Sequence, residues 1–140
     1  MPLKGYKHTA KTRQIMSSKK KGKPPGNMLP YGEAAKRALF SRMKASAKTR
    51  NLMFTLTFEE FLVFTSECCE YCGERPKQKC QPKEANGYYL YNGLDRQDNT
   101  KGYVPGNIVP CCGTCNYAKA DRSVKDFLAW AIKIARLSGR

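Results

Sequence analysis

The sequence lacks the features of a membrane or secreted protein. It contains no apolar run of about 18 residues, so no segment is predicted to span a membrane. The lysines near its N-terminus are not followed by an apolar stretch, so a secretory signal is not predicted either. Its seven cysteines are an odd number, which favours metal ligation over a disulfide framework in a reducing compartment. We therefore expect a cytoplasmic protein.

Acidic residues are almost missing from the front of the chain. Residues 1–50 contain 14 of the 26 lysines and arginines but one acid, Glu33, which gives a net charge of +13. Residues 51–140 contain 12 basic and 10 acidic residues, which gives +2. A solvated tail, or a surface that binds any polyanion, would have the same charge. Nucleic acid is the commoner partner for such a charge.

The chain divides into a basic arm and one domain. Residues 1–30 are rich in lysine, with the Pro24-Pro25 pair and few apolar residues, which predicts a flexible basic arm. Residues 31–140 are predicted to form a single domain, with a helical lead-in, a core at residues 68–122 and a C-terminal helix.

Three helices are predicted outside the cysteine-rich core. Between Glu33 and Arg50, apolar residues recur at helical spacing, and the basic residues among them either contact phosphates or form an ordinary basic surface. A second helix begins after Thr57, which forms a capping box with Glu60. Ser123 caps the last helix. Five residues of that helix are predicted to form a buried stripe: Phe127, Trp130, Ala131, Ile134 and Leu137.

The core itself is rich in cysteine, glycine, proline and aromatic residues. The run from Gly87 to Tyr91 is typical of a strand, and Ile108-Val109 is a second extended piece after a turn-rich loop. Cys112 to Lys119 is predicted to start a helix. The fold class is therefore α+β, with short strands flanked by helices.

Two Cys-x-x-Cys pairs in the core predict a structural zinc site. Two intervening residues let a tight turn direct both sulfur atoms at one ion, and two such pairs complete a tetrahedral site. The four predicted ligands are Cys69, Cys72, Cys112 and Cys115. The spacing favours these ligands over Cys68 and Cys111, which lie one residue outside each pair and would leave three residues before the partner, and Cys80 is predicted not to bind. A redox pair, or two unrelated core pairs, are the alternatives.

Three motifs in the core occur in a specific order. They are Leu94-Asp95-Arg96, then Asn107-x-Val109-Pro110-Cys111-Cys112, then Cys112-x-x-Cys115-Asn116-x-x-Lys119. From about Cys69 to Lys119 the sequence resembles the HNH, or ββα-metal, endonuclease family, in its four-cysteine zinc type.

The resemblance implies a zinc-stapled ββα-metal module that cuts DNA with a catalytic metal ion. In the family, a strand-end acid and a residue on the following helix hold Mg²⁺ or Mn²⁺, and these roles fall on Asp95 and Asn116. Oxygen donors suit such hard cations, whereas thiolates suit zinc. Asn107 matches the residue that braces the loop between the strands. The product would be nicked DNA or, for a homodimer, a double-strand break, in a bacterial cell or phage-infected host.

One position departs from the family. Its general base is a histidine directly after the strand-end acid, and here that residue is Arg96, which stays protonated and would instead hold the scissile phosphate. The sole histidine, His8, lies in the predicted arm. A base could come from Tyr89, Tyr91 or Tyr103, or from a metal-bound water that loses its proton to solvent. Alternation along an unbroken strand would place Tyr89 and Tyr91 on the face of the acid.

Several of these residues also have a purely structural interpretation. Asp95 and Asn99 could simply form turns, and Asn116 could satisfy a backbone group beside the zinc site. Lys119 and Arg122 could contact phosphates. The alternative function is a catalytically inactive, zinc-stapled nucleic-acid-binding protein, and a third is an RNA-binding or ribosome-associated zinc protein.

Overall fold

The computed structural model describes residues 29–139, and the elements named here belong to that range. The arm predicted over residues 1–30 therefore lies almost entirely outside the described residues. Helices and strands follow the chain as α1 (Glu33–Thr49), α2 (Phe58–Ser66), β1 (Gln78–Cys80), β2 (Tyr89–Tyr91), β3 (Gly93–Arg96), β4 (Ile108–Cys111), α3 (Gly113–Lys119) and α4 (Val124–Ser138).

The strands form two separate antiparallel hairpins. β1 pairs with β2, with Lys79 opposite Leu90, and β3 pairs with β4, with Asp95 opposite Val109. β2 and β3 are consecutive but belong to different sheets, so the chain changes partner at Asn92. The strand predicted from Gly87 to Tyr91 is observed as β2 at Tyr89–Tyr91. No unbroken strand connects it to Asp95, so the alignment of Tyr89 and Tyr91 with that acid by alternation is wrong. β1 had no signal in the sequence because Gln-Lys-Cys lacks both alternation and strong strand formers.

Asn92 fixes this change of partner. The residue is fully buried, and its backbone N–H donates to the Thr65 carbonyl at 2.9 Å. Its side-chain Nδ2 donates to the carbonyls of Glu67 at 2.9 Å and Glu74 at 3.0 Å. Because Glu67 and Glu74 flank the first cysteine pair, Asn92 holds that pair against the junction of the two hairpins.

The predicted helix caps are confirmed. The Thr57 N–H donates to Glu60 Oε2 at 2.8 Å, while the Glu60 N–H donates to Thr57 Oγ1 at 3.2 Å, which completes the capping box. The Asp126 N–H donates to Ser123 Oγ at 3.1 Å at the start of α4. Each cap contributes about 1 kcal/mol by satisfying amides that the helix leaves unpaired.

The core lies between α1, α2 and the two hairpins. Leu39 of α1 and Phe61 of α2 are buried, and Phe40 packs edge-on against Phe61 at 5.2 Å between ring centroids. β3 and β4 contribute Leu94 and Ile108. Burying each such side chain contributes about 1.5–3 kcal/mol. Phe58 and Phe64 of α2 are partly buried and pack against the same core, so α2 holds α1 against the hairpins.

The buried stripe predicted for α4 is wrong beyond its first turns. Phe127 is buried and packs edge-on against Tyr71 at 5.2 Å, whereas Trp130, Ile134 and Leu137 are 40%, 44% and 54% exposed. α4 contacts the rest of the described structure through its first two turns and then runs past it. Its later apolar residues therefore lie at the surface of the described structure, outside the buried core.

The observed architecture confirms the predicted α+β class: short antiparallel hairpins flanked by helices, with β3, β4 and α3 following one another as a ββα unit. None of the described helices has the length and apolar character needed to cross a bilayer.

Candidate functional site

The four cysteines predicted to bind zinc form one cluster. Their sulfur atoms all lie within 4.8 Å of one another, and the Sγ atoms of Cys72 and Cys112 are 3.6 Å apart. Four sulfurs at about 2.3 Å from a tetrahedral zinc ion would be about 3.8 Å apart. The donor set and its spacing therefore fit a metal ion, and we call Cys69, Cys72, Cys112 and Cys115 the four-cysteine cluster.

Local backbone geometry forms each half of the cluster. The Gly73 N–H donates to the Cys69 carbonyl at 2.9 Å, and Gly73 has a φ of 75°, which closes a tight turn that a glycine adopts without strain. Cys112 is the N-cap of α3, and its Sγ accepts the Cys115 N–H at 3.4 Å. The ββα unit is thus joined to the cluster at the first residue of its helix.

Cys69 is the thiol of the cluster whose pKa is lowered, whereas the pKa values of Cys72 and Cys115 are raised. Burial raises the pKa of Cys69, but hydrogen bonds from the backbone of Cys112, Cys72 and Tyr71 lower it to about 7. Burial raises the pKa of Cys111 far above its ordinary value, and nearby negative charge adds to that shift. Burial raises the pKa of Cys115 in the same way, so it is position that sets Cys111 apart: the sulfur atoms that lie together are those of Cys69, Cys72, Cys112 and Cys115.

Asp95 forms a buried ion pair with Lys119. Asp95 is 4% exposed and Lys119 is 0% exposed, and Lys119 Nζ lies 3.2 Å from Asp95 Oδ1. Lys119 Nζ also donates to the Arg96 carbonyl at 3.2 Å. The interpretation of Lys119 as a phosphate contact is therefore wrong, because its ammonium group faces β3 instead of solvent.

Tyr71 forms a hydrogen bond with the other carboxylate oxygen of Asp95. Its hydroxyl donates to Asp95 Oδ2 at 2.7 Å. Burial raises the pKa of Tyr71, and the hydrogen bond to Asp95 and the charge of that carboxylate raise it further, so the hydroxyl remains a donor. Tyr71 lies inside the first Cys-x-x-Cys pair, so the cluster also orients Asp95. Nothing in the sequence marks Tyr71 for this role except its place between two ligands.

Asn116 lies on the exposed side of α3, close to Gly93. A Cβ placed on Gly93 would be 4.0 Å from Asn116 Nδ2. Gly93 and Asp95 point to the same face of β3 because side chains alternate along a strand. α3 covers that face, with Asn116 beside Gly93 and Lys119 at Asp95. The two predicted ligands of a catalytic cation thus share a face, Asp95 buried and Asn116 open to solvent.

The oxygen donors fit a hard cation in their chemistry. A carboxylate has roughly four acceptor positions, of which Lys119 and Tyr71 occupy one on each oxygen. The amide oxygen of Asn116 is the kind of neutral donor that Mg²⁺ and Mn²⁺ accept. Lys119 is the cation that Asp95 holds in this structure, so a divalent ion would share the carboxylate with Lys119 or take its place.

A groove beside Asn116 contains two arginine–tyrosine pairs. It has a volume of about 430 Å³ and lies between α1 and the hairpins. Arg42 Nη2 donates to the Tyr91 hydroxyl at 3.5 Å, and Arg50 Nη2 donates to the Tyr103 hydroxyl at 2.7 Å. We call it the arginine groove. The structure therefore brings Tyr91, Tyr103 and Asn116 together, and adds two arginines that no sequence motif marks.

Arg96 and Asn107 both hold the loop between β3 and β4. Arg96 Nη1 donates to the carbonyls of Asn99 at 2.7 Å and Lys101 at 2.9 Å. Asn107 Oδ1 accepts the Asp98 N–H at 2.9 Å, and its Nδ2 donates to the Gly102 carbonyl at 2.9 Å. Tyr103 lies within this loop, directly after Gly102, so the brace fixes its position in the arginine groove.

Three residues considered from the sequence lie apart from the groove or outside the described residues. The Tyr89 hydroxyl is hydrogen-bonded to Thr65 Oγ1 at 2.8 Å and does not line the arginine groove. Asn99 Nδ2 donates to the Asp121 carbonyl at 2.8 Å, which ties the loop to the end of α3. His8 falls outside the described range.

Comparison with known sequences gives one partial relative. No known protein-family profile matches the chain. Uncharacterized protein R423 of Acanthamoeba polyphaga mimivirus is 34% identical over 84 residues. That alignment covers 60% of this chain and 14% of the viral protein, so the chain matches a small part of a much longer relative.

Among solved structures, the chain is similar to the rare-cutting HNH restriction endonuclease PacI. The TM-score is 0.54 with 18% sequence identity, over 81% of this chain and 92% of that chain. At this identity the likeness establishes the fold alone. The chain therefore shares the fold of an HNH restriction endonuclease and has, in addition, four cysteines placed to hold a metal ion.

Proposed function

We propose that the protein is a metal-dependent endonuclease that hydrolyses phosphodiester bonds in DNA. The observation that carries this proposal is that Asn116, which belongs to the ββα unit of an HNH-like fold, lines one groove together with two arginine–tyrosine pairs. The relation to a restriction endonuclease supports DNA as the substrate, and the net charge of +15 favours a polyanion.

Zinc is the ion proposed for the four-cysteine cluster, where it would be structural. Thiolate donors at tetrahedral spacing select zinc, and a site with four protein ligands leaves no open position for chemistry. Its role is to hold the first cysteine pair, with Tyr71, against β4 and α3.

Arg42 and Arg50 are proposed to bind the phosphate backbone. Arg42 lies in α1 and Arg50 is the C-cap residue of that helix, and both side chains reach into the arginine groove. A guanidinium group matches the oxygen geometry of a phosphate and stays charged. Arg96, which remains protonated, is proposed to add a contact to the scissile phosphate through the N–H groups that its loop contacts leave free.

Asp95 and Asn116 are the residues proposed to hold Mg²⁺ or Mn²⁺. When bound at such a site, the ion supplies stabilisation of the negative charge that develops on the leaving 3′ oxygen. Tyr71 keeps the Asp95 carboxylate oriented, and Asn107 keeps the loop after it in place.

Tyr91 is the proposed proton acceptor. For this role the Tyr91 hydroxyl first gives its proton to solvent. Its oxygen then takes a proton from the attacking water while the water oxygen bonds to phosphorus and the bond from phosphorus to the 3′ oxygen breaks, and the departing 3′ oxygen takes a proton from solvent. The Arg42 contact at 3.5 Å leaves the Tyr91 oxygen accessible, whereas Tyr103 is held by Arg50 at 2.7 Å. Tyr103 is therefore a positioning residue for the arginines, between Arg50 and Arg96.

One observation favours the alternative of a binding protein without cleavage. The Lys119 ammonium already neutralises Asp95, so the carboxylate is satisfied without a divalent ion. A protein in which this pair is permanent would bind DNA through its arginines and leave the backbone intact.

Cleavage of a supercoiled plasmid separates these functions. Zinc-loaded protein with Mg²⁺ or Mn²⁺ is expected to convert the plasmid to nicked DNA, or to linear DNA if two copies act together. Asn116→Ala should lower the rate by at least about 100-fold, because it removes a proposed ligand. Thr114→Ala, an exposed change on the same helix, is the matched control and should keep wild-type activity. Tight DNA binding without cleavage in any metal would establish the alternative.

A further inference from the structure

A second groove lies between α3 and α4, on the other side of Asn116. It has a volume of about 830 Å³, and Tyr117, Arg122 and Trp130 line it together with Asn116. We propose that this groove binds an unpaired nucleobase next to the cleaved phosphate. The inference rests on the proposed function, because it names the substrate class of the same site: DNA that is single-stranded, mismatched or otherwise distorted.

Tyr117 is the first observation behind the proposal. Its side chain is 90% exposed, directly after Asn116, so it contributes almost nothing to packing within the described residues. Solvent exposure of a large aromatic ring has no benefit for stability. Aromatic rings on such surfaces are typical stacking partners for bases in single strands.

Arg122 and Trp130 are the second, independent observation. The Arg122 guanidinium lies 4.9 Å from the centroid of the Trp130 ring, and its Nη1 donates to the Ala118 carbonyl at 2.6 Å. Phe127 stacks against the Trp130 ring, with ring centroids 6.2 Å apart and ring planes 28° from parallel. These contacts hold the guanidinium in the groove that Tyr117 also lines, and bases stack on guanidinium planes as well as on rings.

Position and charge favour a nucleotide over another occupant. Asn116 lines both grooves, so a strand bound by Arg42 and Arg50 passes Asn116 before it reaches Tyr117. The face of a base inside a duplex is covered by its neighbours, and only an unstacked base can lie against Tyr117. A second copy of this chain would place like charges together, since each carries +15.

Trp130 is the sole tryptophan of the chain, so its fluorescence reports this groove directly. Full-length, zinc-loaded protein without added Mg²⁺ or Mn²⁺ is titrated with a short single-stranded DNA, with the matching duplex, and with inorganic polyphosphate. The single strand is expected to quench the fluorescence, the duplex to quench it much less, and polyphosphate to leave it unchanged because it has no bases. Tyr117→Ala should weaken single-strand binding at least about 5-fold.

Matched variants and failures complete the test. Tyr117→Phe keeps the ring and should bind as wild type, and Tyr88→Ala removes an exposed tyrosine outside the groove and should have no effect. Equal quenching by duplex or polyphosphate, unchanged binding by Tyr117→Ala, or fluorescence that varies with protein concentration alone would overturn the proposal. Because the titration is done without added Mg²⁺ or Mn²⁺, a lack of plasmid cleavage leaves this result unaffected and counts only against the endonuclease.

Discussion

Asp95 and Lys119 neutralise each other's charge in the protein interior, where a single unpaired charge would be strongly destabilising. Both side chains are almost fully buried, and together with Tyr71 they join β3, α3 and the first cysteine pair. Removal of one partner of such a pair leaves an uncompensated charge, which costs about 3–5 kcal/mol. Any change at Asp95 therefore alters folding as well as chemistry.

Asp95→Asn is predicted to lower the free energy of unfolding by about 3–5 kcal/mol. The double variant Asp95→Asn with Lys119→Met removes both charges and should recover most of that loss. Urea denaturation of zinc-loaded protein, followed by circular dichroism, measures both values. If the single variant unfolds at the wild-type urea concentration, the pair has no structural role, and Asp95 is free to bind a cation without competition.

Motif order singled out Asp95, Asn107 and Asn116, but tertiary contacts decide what surrounds them. Arg42 and Tyr91 are 49 residues apart in the sequence, and Arg50 and Tyr103 are 53 apart. No local pattern connects residues at such separations, so the arginine groove could not be predicted. The burial of Lys119 was missed for the same reason: a lysine at the end of a short helix usually faces solvent.

At the scale of elements, α3 depends on the four-cysteine cluster. This helix has seven residues, too few to be stable alone, and its N-cap is one of the four cysteines. A metal ion at the cluster would hold that helix start to the first cysteine pair, and so would set the position of Asn116.

Zinc removal is predicted to unfold the module, because four thiolates at one ion contribute on the order of 10 kcal/mol or more in small zinc domains. Thermal melting by circular dichroism, with and without exhaustive chelation, measures this. Cys72→Ser should behave like the chelated protein, whereas Cys68→Ser, an exposed cysteine outside the cluster, should melt as wild type. An unchanged melting temperature after complete metal loss would show that the cluster does not support the fold.

Capping signals predicted helix starts well because they depend on residues three apart. The exposure of the later apolar residues of α4 was not predicted, because periodicity shows that a helix has an apolar face and does not show what packs against that face. Phe127 packs against Tyr71, whereas Ile134 and Leu137, farther along the helix, are exposed. Likewise β1 exists only because β2 pairs with it.

On the scale of the whole molecule, charge and groove positions suggest how DNA would lie. The arginine groove and the groove at Tyr117 meet at Asn116, so one strand would cross both. Most of the excess positive charge belongs to residues 1–50, before the first hairpin. We expect that segment to add affinity without sequence preference.

Deletion of residues 1–28 is predicted to weaken DNA binding and to make it less dependent on salt. The slope of the logarithm of the binding constant against the logarithm of the salt concentration should become shallower by about 0.9 for each phosphate that the deleted segment neutralises. This end point keeps Leu29, whose carbonyl accepts Asn86 Nδ2 at 3.1 Å. Fluorescence anisotropy at several salt concentrations measures the slope. Replacement of Lys19, Lys20 and Lys21 by glutamine in the full chain should give a smaller change in the same direction. An identical slope after deletion would show that the arm does not contact DNA.

Binding of Mn²⁺ to zinc-loaded protein tests the central claim, that Asp95 and Asn116 jointly hold a second, harder ion. Electron paramagnetic resonance of free Mn²⁺ during a titration counts the bound ions. Wild type is predicted to bind one Mn²⁺, Asn116→Ala to lose this site while it melts as wild type, and Asn116→Asp to retain it. Equal Mn²⁺ binding by wild type and Asn116→Ala, or none by either, would contradict the account.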